Sequence, residues 1–525
     1  MTSRLAAAVL LLVACAALPA VAQQESGPAP LELSLRDIVQ QAIERNLQIA
    51  VTRLDPALAA ESVTVAEAAF DSRIEARAAH SRSQQEPESA FGTTTFESDT
   101  ADLTWFKPFE FGTTVRAGLQ YEETQADFVA ASTFRQIPNQ VTVGPVVNIT
   151  HPLLRNFGLE VNRTAIEQAM NERRVSEAEL FNQMMLTVEQ TEQTYWDLIG
   201  ARRQLGVAQG SLQLARDFLD QTKIKVEVGT LPPIEITTAE AEVASREEAV
   251  IIAENLIGDT EDQLRALLRI PPDSPDWQRP IVPLDEPTFE PVQVDVESTI
   301  DDALTRRPEI AQAQLAVRNA ELNLRYRENQ VRPELNLSAD FSATGNNYEP
   351  DAFRLVDAGD PADPTDDIIE QVNFGRTEAF KEIADLDTYS WSVGAFYSIP
   401  IRNRAAKAER TRARLAVEQA NLRLEQARQN IRVEVREAAR AVESAARRVA
   451  SARANVVLQR KKVDAEQKRY ENGLSIAFQV LQFQNDLRDA ESREIRALVD
   501  HHRALATLAR VRGTLLTDRG VRVEE

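Results

Sequence analysis

Between Asn403 and Asn472 the chain contains no Gly and no Pro, and Val435, Val442, Val449, Val456, Val463 and Tyr470 recur at every seventh position. Such spacing is a helical period rather than a strand period. Ala438, Ala445 and Ala452 lie three residues behind their valines and complete an a/d seam. At about 1.5 Å per residue, roughly seventy helical residues span about 100 Å. After Asn472-Gly473-Leu474-Ser475 the seam resumes, with Val480 and Leu487 in one register and Ala490, Ala497, Ala504 and Val511 in the other. The pattern predicts an antiparallel helical hairpin with its tip near Gly473.

The same unit occurs earlier in the chain. Leu198, Leu205, Leu212, Leu219 and Val226 are spaced by seven, and Val228-Gly229-Thr230-Leu231-Pro232-Pro233 breaks that helix before another runs to about Arg269. Adding 244 to Leu198, Leu205, Leu212, Leu219, Val226 and Gly229 gives Val442, Val449, Val456, Val463, Tyr470 and Gly473. On the return arm Ile236 maps to Val480, Val243 to Leu487 and Ala253 to Ala497. Agreement in register at so many positions marks an internal duplication.

Ahead of each hairpin the period shortens to two. Ile74, Ala76 and Ala78 alternate with Arg73, Glu75 and Arg77, and Val115, Ala117, Leu119 and Tyr121 alternate with Thr114, Arg116, Gly118 and Gln120. Val141 to Ile149, Leu335 to Phe341 and Tyr389 to Ile399 continue the alternation, which predicts strands with one apolar and one polar face. The last of these suits a tilted membrane strand of 9 to 11 residues, with aromatics near its ends. The polar runs 84–98 and 125–139 read as long loops, and 346–387 as an acidic insertion. A helix capped by Ser34 and Asp37 is expected to continue to Phe70, with Pro56 as a kink, and Ile300, Ala303, Leu304 and Ile310 mirror it in the second half.

Composition fits long exposed helices: aromatic residues are 6% and charged residues 27% of the chain. With 59 basic and 81 acidic residues the net charge is −22, which argues against a nucleic-acid partner. Arg4, the apolar run Leu5–Leu18 and Ala20-Val21-Ala22 form a secretory signal peptide, so the chain is exported. No later run is apolar enough for a spanning helix, which leaves a barrel as the route into a membrane. Four to six strands per chain cannot close one, so several copies must share it. Cys15 is the only cysteine. It either sits in the lipoprotein-like box Leu12-Val13-Ala14-Cys15 or is removed by cleavage after Ala22. Nothing suggests catalysis, metal or cofactor binding: His80, His151, His501 and His502 lie in separate segments or lack metal-pair spacing, and no phosphate loop or nucleophile elbow is present.

At Thr150-His151-Pro152-Leu153-Leu154-Arg155-Asn156-Phe157-Gly158, at Ile399-Pro400-Ile401-Arg402-Asn403-Arg404-Ala405-Ala406 and at both tips, the sequence resembles the TolC family of outer-membrane efflux proteins, over about residues 33–516. The resemblance implies a mainly α fold with a membrane β-barrel: a homotrimer sharing one barrel in outer-membrane lipid, continued by a periplasmic α-helical tube. It also implies a non-enzymatic exit duct of a tripartite efflux or type I secretion system, docking onto a periplasmic adaptor and an inner-membrane pump. The adaptor-docking tips would be Val228, Gly229, Thr230 and Leu231, and Asn472, Gly473, Leu474 and Ser475. Where the best-known member carries acidic aperture residues after the second tip, this sequence has Gln479 and Gln482, with Glu235 as the acidic candidate in the first half. The first half also offers about four strand candidates where the family needs two. The alternative is a periplasmic or surface coiled-coil structural or adaptor protein, which would lack the duplicated strand sets. The boundaries are a signal peptide 1–22, an extension 23–33, a first repeat 34–269 with strands about 71–150, a Pro-rich linker 270–297, a second repeat 298–516 with strands about 335–342 and 389–399, and a tail 517–525.

Overall fold

The computed structural model describes residues 29–86, 91–130, 133–356, 368–373 and 375–521. The signal segment, Cys15 and most of the 23–33 extension lie outside these residues. The chain begins with β1 (Leu31–Leu33), α1 (Leu35–Arg45), α2 (Leu47–Thr52) and α3 (Asp55–Glu67). Four strands follow: β2 (Arg73–Gln84), β3 (Phe91–Pro108), β4 (Thr114–Ala130) and β5 (Thr133–Pro152). Next come α4 (Leu159–Asn162), the long α5 (Thr164–Glu227), α6 (Ile234–Leu267) and β6 (Ile281–Pro283). The second half has α7 (Val296–Arg306), α8 (Pro308–Gln330), β7 (Glu334–Ala343), β8 (Gly345–Asn346), β9 (Tyr348–Val356), β10 (Ile368–Asn373), α9 (Arg376–Asp385) and β11 (Tyr389–Ser398). It ends with α10 (Arg404–Glu471), α11 (Ala477–Arg512) and α12 (Leu515–Asp518). The chain forms two compact units: one of residues up to Asn46, Thr187–Val292 and Val442–Ala506, the other of Leu47–Leu186, Gln293–Ala441 and Thr507 onward.

In the first unit the seam residues are buried: Val442, Val449, Val456, Val463 and Tyr470 on α10, and Val480, Leu487, Ala490 and Ala497 on α11. Val456 and Val463 pack with Leu487 and Ala490, which fixes the two arms against each other. Some arginines of α10 pair across the hairpin, Arg448 with Asp500 at 3.0 Å, Arg453 with Glu494 at 3.3 Å and Arg460 with Glu491 at 2.7 Å, while others pair along one helix, as Arg447 does with Glu443 at 3.6 Å. Each such exposed pair contributes about 0.2–1 kcal/mol, so the buried seam supplies most of the hairpin's stability.

Helix α1 starts with a reciprocal capping box, the Ser34 hydroxyl accepting from Asp37 N at 3.3 Å and Asp37 accepting from Ser34 N at 3.1 Å. Bonding to the Ser34 side chain and backbone holds the Asp37 carboxyl below its ordinary pKa. The Pro-rich stretch after α6 carries more order than its composition predicts. Within it, β6 pairs in parallel with β1, Ile281 opposite Leu31. The buried Tyr195 of α5 ties these pieces together: its hydroxyl lies 3.1 Å from Leu33 O and 2.6 Å from the Asp285 carboxylate, which also accepts from Leu35 N at 2.7 Å. Burial and the neighbouring Asp285 push the Tyr195 phenol well above its ordinary pKa.

The other unit is built on one antiparallel sheet in the order β11-β7-β5-β4-β3-β2, with β8 beside β5. Two expectations are corrected here, the loops and the long first helix. The polar runs at 84–98 and 125–139 are not long loops, because β3 extends back to Phe91 and β4 and β5 continue through Ala130 and from Thr133. Backbone pairing between neighbouring strands carries the ladder through these segments. The acidic insertion holds β8, β9, β10 and α9, whose Ala379 and Ile383 cover Val141, Val143 and Tyr121. The helix expected to reach Phe70 is three helices, and Pro56 sits in the first turn of α3, where its missing N–H costs nothing, instead of kinking a longer rod.

Candidate functional site

Pairs directly opposite in register share a face of the sheet. Ile74 faces Trp105, Trp105 faces Ala117, Ala117 faces Val147, Val147 faces Phe341 and Phe341 faces Trp391. One apolar row therefore crosses all six strands. On the opposite face Arg77, Asp102 and Gln120 lie in register, and Asp340 of β7 binds Asn148 of β5 and, at 3.1 Å, Ser392 of β11. The sheet is apolar on one face and polar on the other along its whole width, as a wall between hydrocarbon and water requires.

Each repeat leaves the sheet in the same way. Asn156 and Asn403 both adopt positive φ, 65° and 42°, just before α4 and α10. Asparagine is one of the few side-chain-bearing residues that tolerates this region. The Asn403 amide donates to Val331 O at 3.0 Å, and Asn156 N donates to the Asn329 side chain at 2.7 Å.

Both hairpins turn alike at their tips. Gly229 has φ 77° and Gly473 φ 74°. At the first tip Gly229 N donates to Val226 O at 2.9 Å and Thr230 N to Lys225 O at 2.9 Å; at the second Gly473 N donates to Tyr470 O at 3.1 Å and Leu474 N to Arg469 O at 2.8 Å. This is the double bonding of a helix end closed by a left-handed glycine. A Cβ on either glycine would meet nothing within 4 Å, so the backbone angle alone demands glycine. The two tips pack together through Phe218, Ala239, Tyr470, Ala477, Val480 and Leu481, with Leu231 at the margin. The Lys225 ammonium sits 3.6 Å from the Tyr470 ring centroid, a cation–π contact joining the two arms. Burial pushes the Tyr470 phenol up.

The expected tip residues are thus brought together, and most face solvent: Val228 is 67% exposed and Leu474 70%, Gly229, Thr230, Asn472 and Gly473 are exposed, and Leu231 and Ser475 are half-buried. Ser475 bonds the Glu466 carboxylate across its own turn. Of the aperture candidates, Gln479 and Gln482 are exposed on α11, and Glu235 is half-buried at the start of α6. Sequence reasoning missed two features. Ile234, Ile476 and Phe478 form an exposed apolar rim beside the tips. The 244-residue offset carried a signal for it, since it maps Ile234 onto Phe478. The second is Arg246, buried between α6 and α11, where it binds Glu242 and Asn485. Burial lowers its pKa, with Glu242 opposing the shift.

Residues 299–514 match the family model for the outer membrane efflux protein. The fold matches solved outer-membrane channels. The Campylobacter jejuni CmeC outer membrane channel is 13% identical with a TM-score of 0.64, covering 92% of this chain and 86% of that one. The outer membrane protein VceC from Vibrio cholerae is 15% identical with a TM-score of 0.62, covering 91% and 96%. The open state of the Neisseria gonorrhoeae MtrE outer membrane channel is 17% identical with a TM-score of 0.59, covering 92% and 89%. No curated protein matches the chain. Residues 299–514 thus carry an outer membrane efflux protein domain, and the chain as a whole has the fold of these outer-membrane channels.

Proposed function

We propose that three copies of this chain share one β-barrel, continue it as a helical tube, and receive substrate from an inner-membrane pump through a periplasmic adaptor that docks on the hairpin tips. The observation that supports docking most directly is the pairing of two identically closed turns, at Gly229 and Gly473, in one cluster rimmed by exposed Val228, Ile234, Leu474, Ile476 and Phe478. Exposed apolar residues concentrated at one end of a charged rod mark an interaction surface. The partner's complementary surface is a helical-hairpin end able to cover this rim. At the aperture, three copies would bring together Gln479 and Gln482, neutral side chains that hydrogen-bond without the mutual repulsion of a carboxylate ring, with Glu235 the nearest acidic group. Whether the system exports small molecules or a secreted polypeptide is set by the pump.

Cross-linking tests the docking. A photoreactive side chain at Leu474 or Val228 should capture the adaptor in intact cells, and one at the exposed Arg447 of α10 should not. Equal capture at both positions, or none at the tips in cells that export, would overturn the assignment.

A further inference from the structure

The polar and apolar faces run on through Ala101–Trp105 of β3 and Val115–Tyr121 of β4, the two strands by which the first repeat exceeds the second in the sheet. We infer that this hairpin is part of the barrel wall, so that each copy contributes six strands and three copies close an eighteen-stranded barrel, β2 of one copy pairing with β11 of the next. The inference rests on the trimeric reading and extends it.

Three observations carry it. First, β3 and β4 lie inside the strand order, between β2 and β5, and not outside it. Among the described residues β2 pairs only with β3 and β11 only with β7. Those two free edges, both exposed along almost their whole length, cannot remain open in hydrocarbon. Their occupant is a second copy of this chain, because six strands alternating in direction present antiparallel edges that fit each other head to tail.

Second, the periplasmic turn of the hairpin is built into the strand-to-helix junction. Gly158 N donates to Phe111 O at 3.3 Å, Thr113 Oγ1 is 2.6 Å from His151 Nδ1, and the Phe111 ring lies beside His151 at 6.1 Å. A hairpin laid loosely outside the wall would not share these contacts.

Third, the stagger is right for closure. The in-register row that starts at Ile74, one residue from the periplasmic end of β2 at Arg73, arrives on β11 at Trp391, seven from its end at Ser398. The strands thus slip by about six residues across five spacings. At about 3.3 Å per residue and about 4.8 Å per spacing this is a tilt of roughly 40°, inside the range of closed barrels. Level periplasmic ends then place Ala76 of one copy opposite Ala395 of the next, both on the apolar face. At equal tilt, eighteen strands give a backbone radius about one and a half times that of a barrel with four strands per copy.

Two sets of variants test this in the full-length protein in outer membranes. Ala76→Cys with Ala395→Cys should give a reductant-sensitive ladder ending at a trimer on denaturing gels, and neither single variant should. Separately, Thr104→Cys and Gln120→Cys, on the polar face of the hairpin, should react with a water-soluble maleimide at least tenfold faster than Leu103→Cys and Leu119→Cys. A trimer on unheated gels with no ladder and no difference in labelling would overturn the six-strand wall and leave the trimer standing. A monomer on unheated gels would overturn the trimeric reading itself.

Discussion

Replacing Gly473 by alanine isolates a single physical quantity. The residue sits at φ 74° and its added methyl would meet nothing within 4 Å, so no contact is lost and no overlap is created. What remains is the cost of holding an L-residue in the left-handed region, about 1–2 kcal/mol. That cost falls on a turn reported by one amide, Leu474 N bonded to Arg469 O at 2.8 Å. Hydrogen exchange at Leu474 should therefore accelerate roughly five- to thirtyfold in Gly473→Ala, while amides of the buried seam at Val456 stay protected. Gly473→Asn should recover about half of the loss, since asparagine tolerates this conformation. The equivalent change at Gly229 should act on Thr230 N in the same way, because its bond to Lys225 O has the same geometry. Unchanged exchange in Gly473→Ala would refute the reasoning, for it would mean that the turn relaxes without cost. The asparagine variant also separates stability from docking. If it restores protection at Leu474 and export still fails, the bare glycine is needed for close approach by the proposed adaptor.

The two faces of the wall predict opposite outcomes for neighbouring residues. Leu103→Arg should cost about 2–4 kcal/mol near the bilayer midplane and deplete the outer membrane of heat-modifiable protein, while Thr104→Arg should assemble normally and shift reversal potentials toward anions. His501 is buried against Phe289, with ring centroids 5.3 Å apart, and burial pushes its pKa below the ordinary value. The folded state favours neutral imidazole, so its contribution is complete above about pH 6.5 and is lost as pH falls below that value. His501→Leu should flatten the decline in thermal stability between pH 7 and 5, and an unchanged slope would show that other groups set it. Arg307, only 6% exposed, is held by Glu309 and Glu434, which are 32% and 45% exposed. Arg307→Met should cost about 2 kcal/mol in denaturant titration, less than the 3–5 kcal/mol of a wholly buried pair because both carboxylates regain water.

The helical hairpins and their tips were legible because a seven-residue seam repeats many times and because a glycine beside a break in that seam has few other meanings. The 244-residue offset then made each half a check on the other. The alternation at Val115–Tyr121 and Tyr389–Ile399 was legible for the same reason, each strand keeping most of its apolar residues on one face. What failed to show were segments whose order comes from pairing rather than from side-chain pattern. Residues 97–100 and 122–125 are polar on both faces and extend as strands because β3 and β4 supply each other's backbone partners. The break after Arg45 was equally hidden: Asn46 closes α1 by donating to Ala42 O, and its side chain reaches Leu267 O at 3.0 Å, a residue more than two hundred positions away. Arg246 looked like any other arginine on a charged helix, and only the packing of α6 against α11 places it in the interior.

The turn at 109–113 returns the chain to the side from which it set out, so the hairpin of β3 and β4 is a closed excursion. Its gain or loss leaves every later strand running in its present direction. If each copy gives six strands to a shared barrel, its bore can change in increments of one hairpin per copy without reversing any later strand.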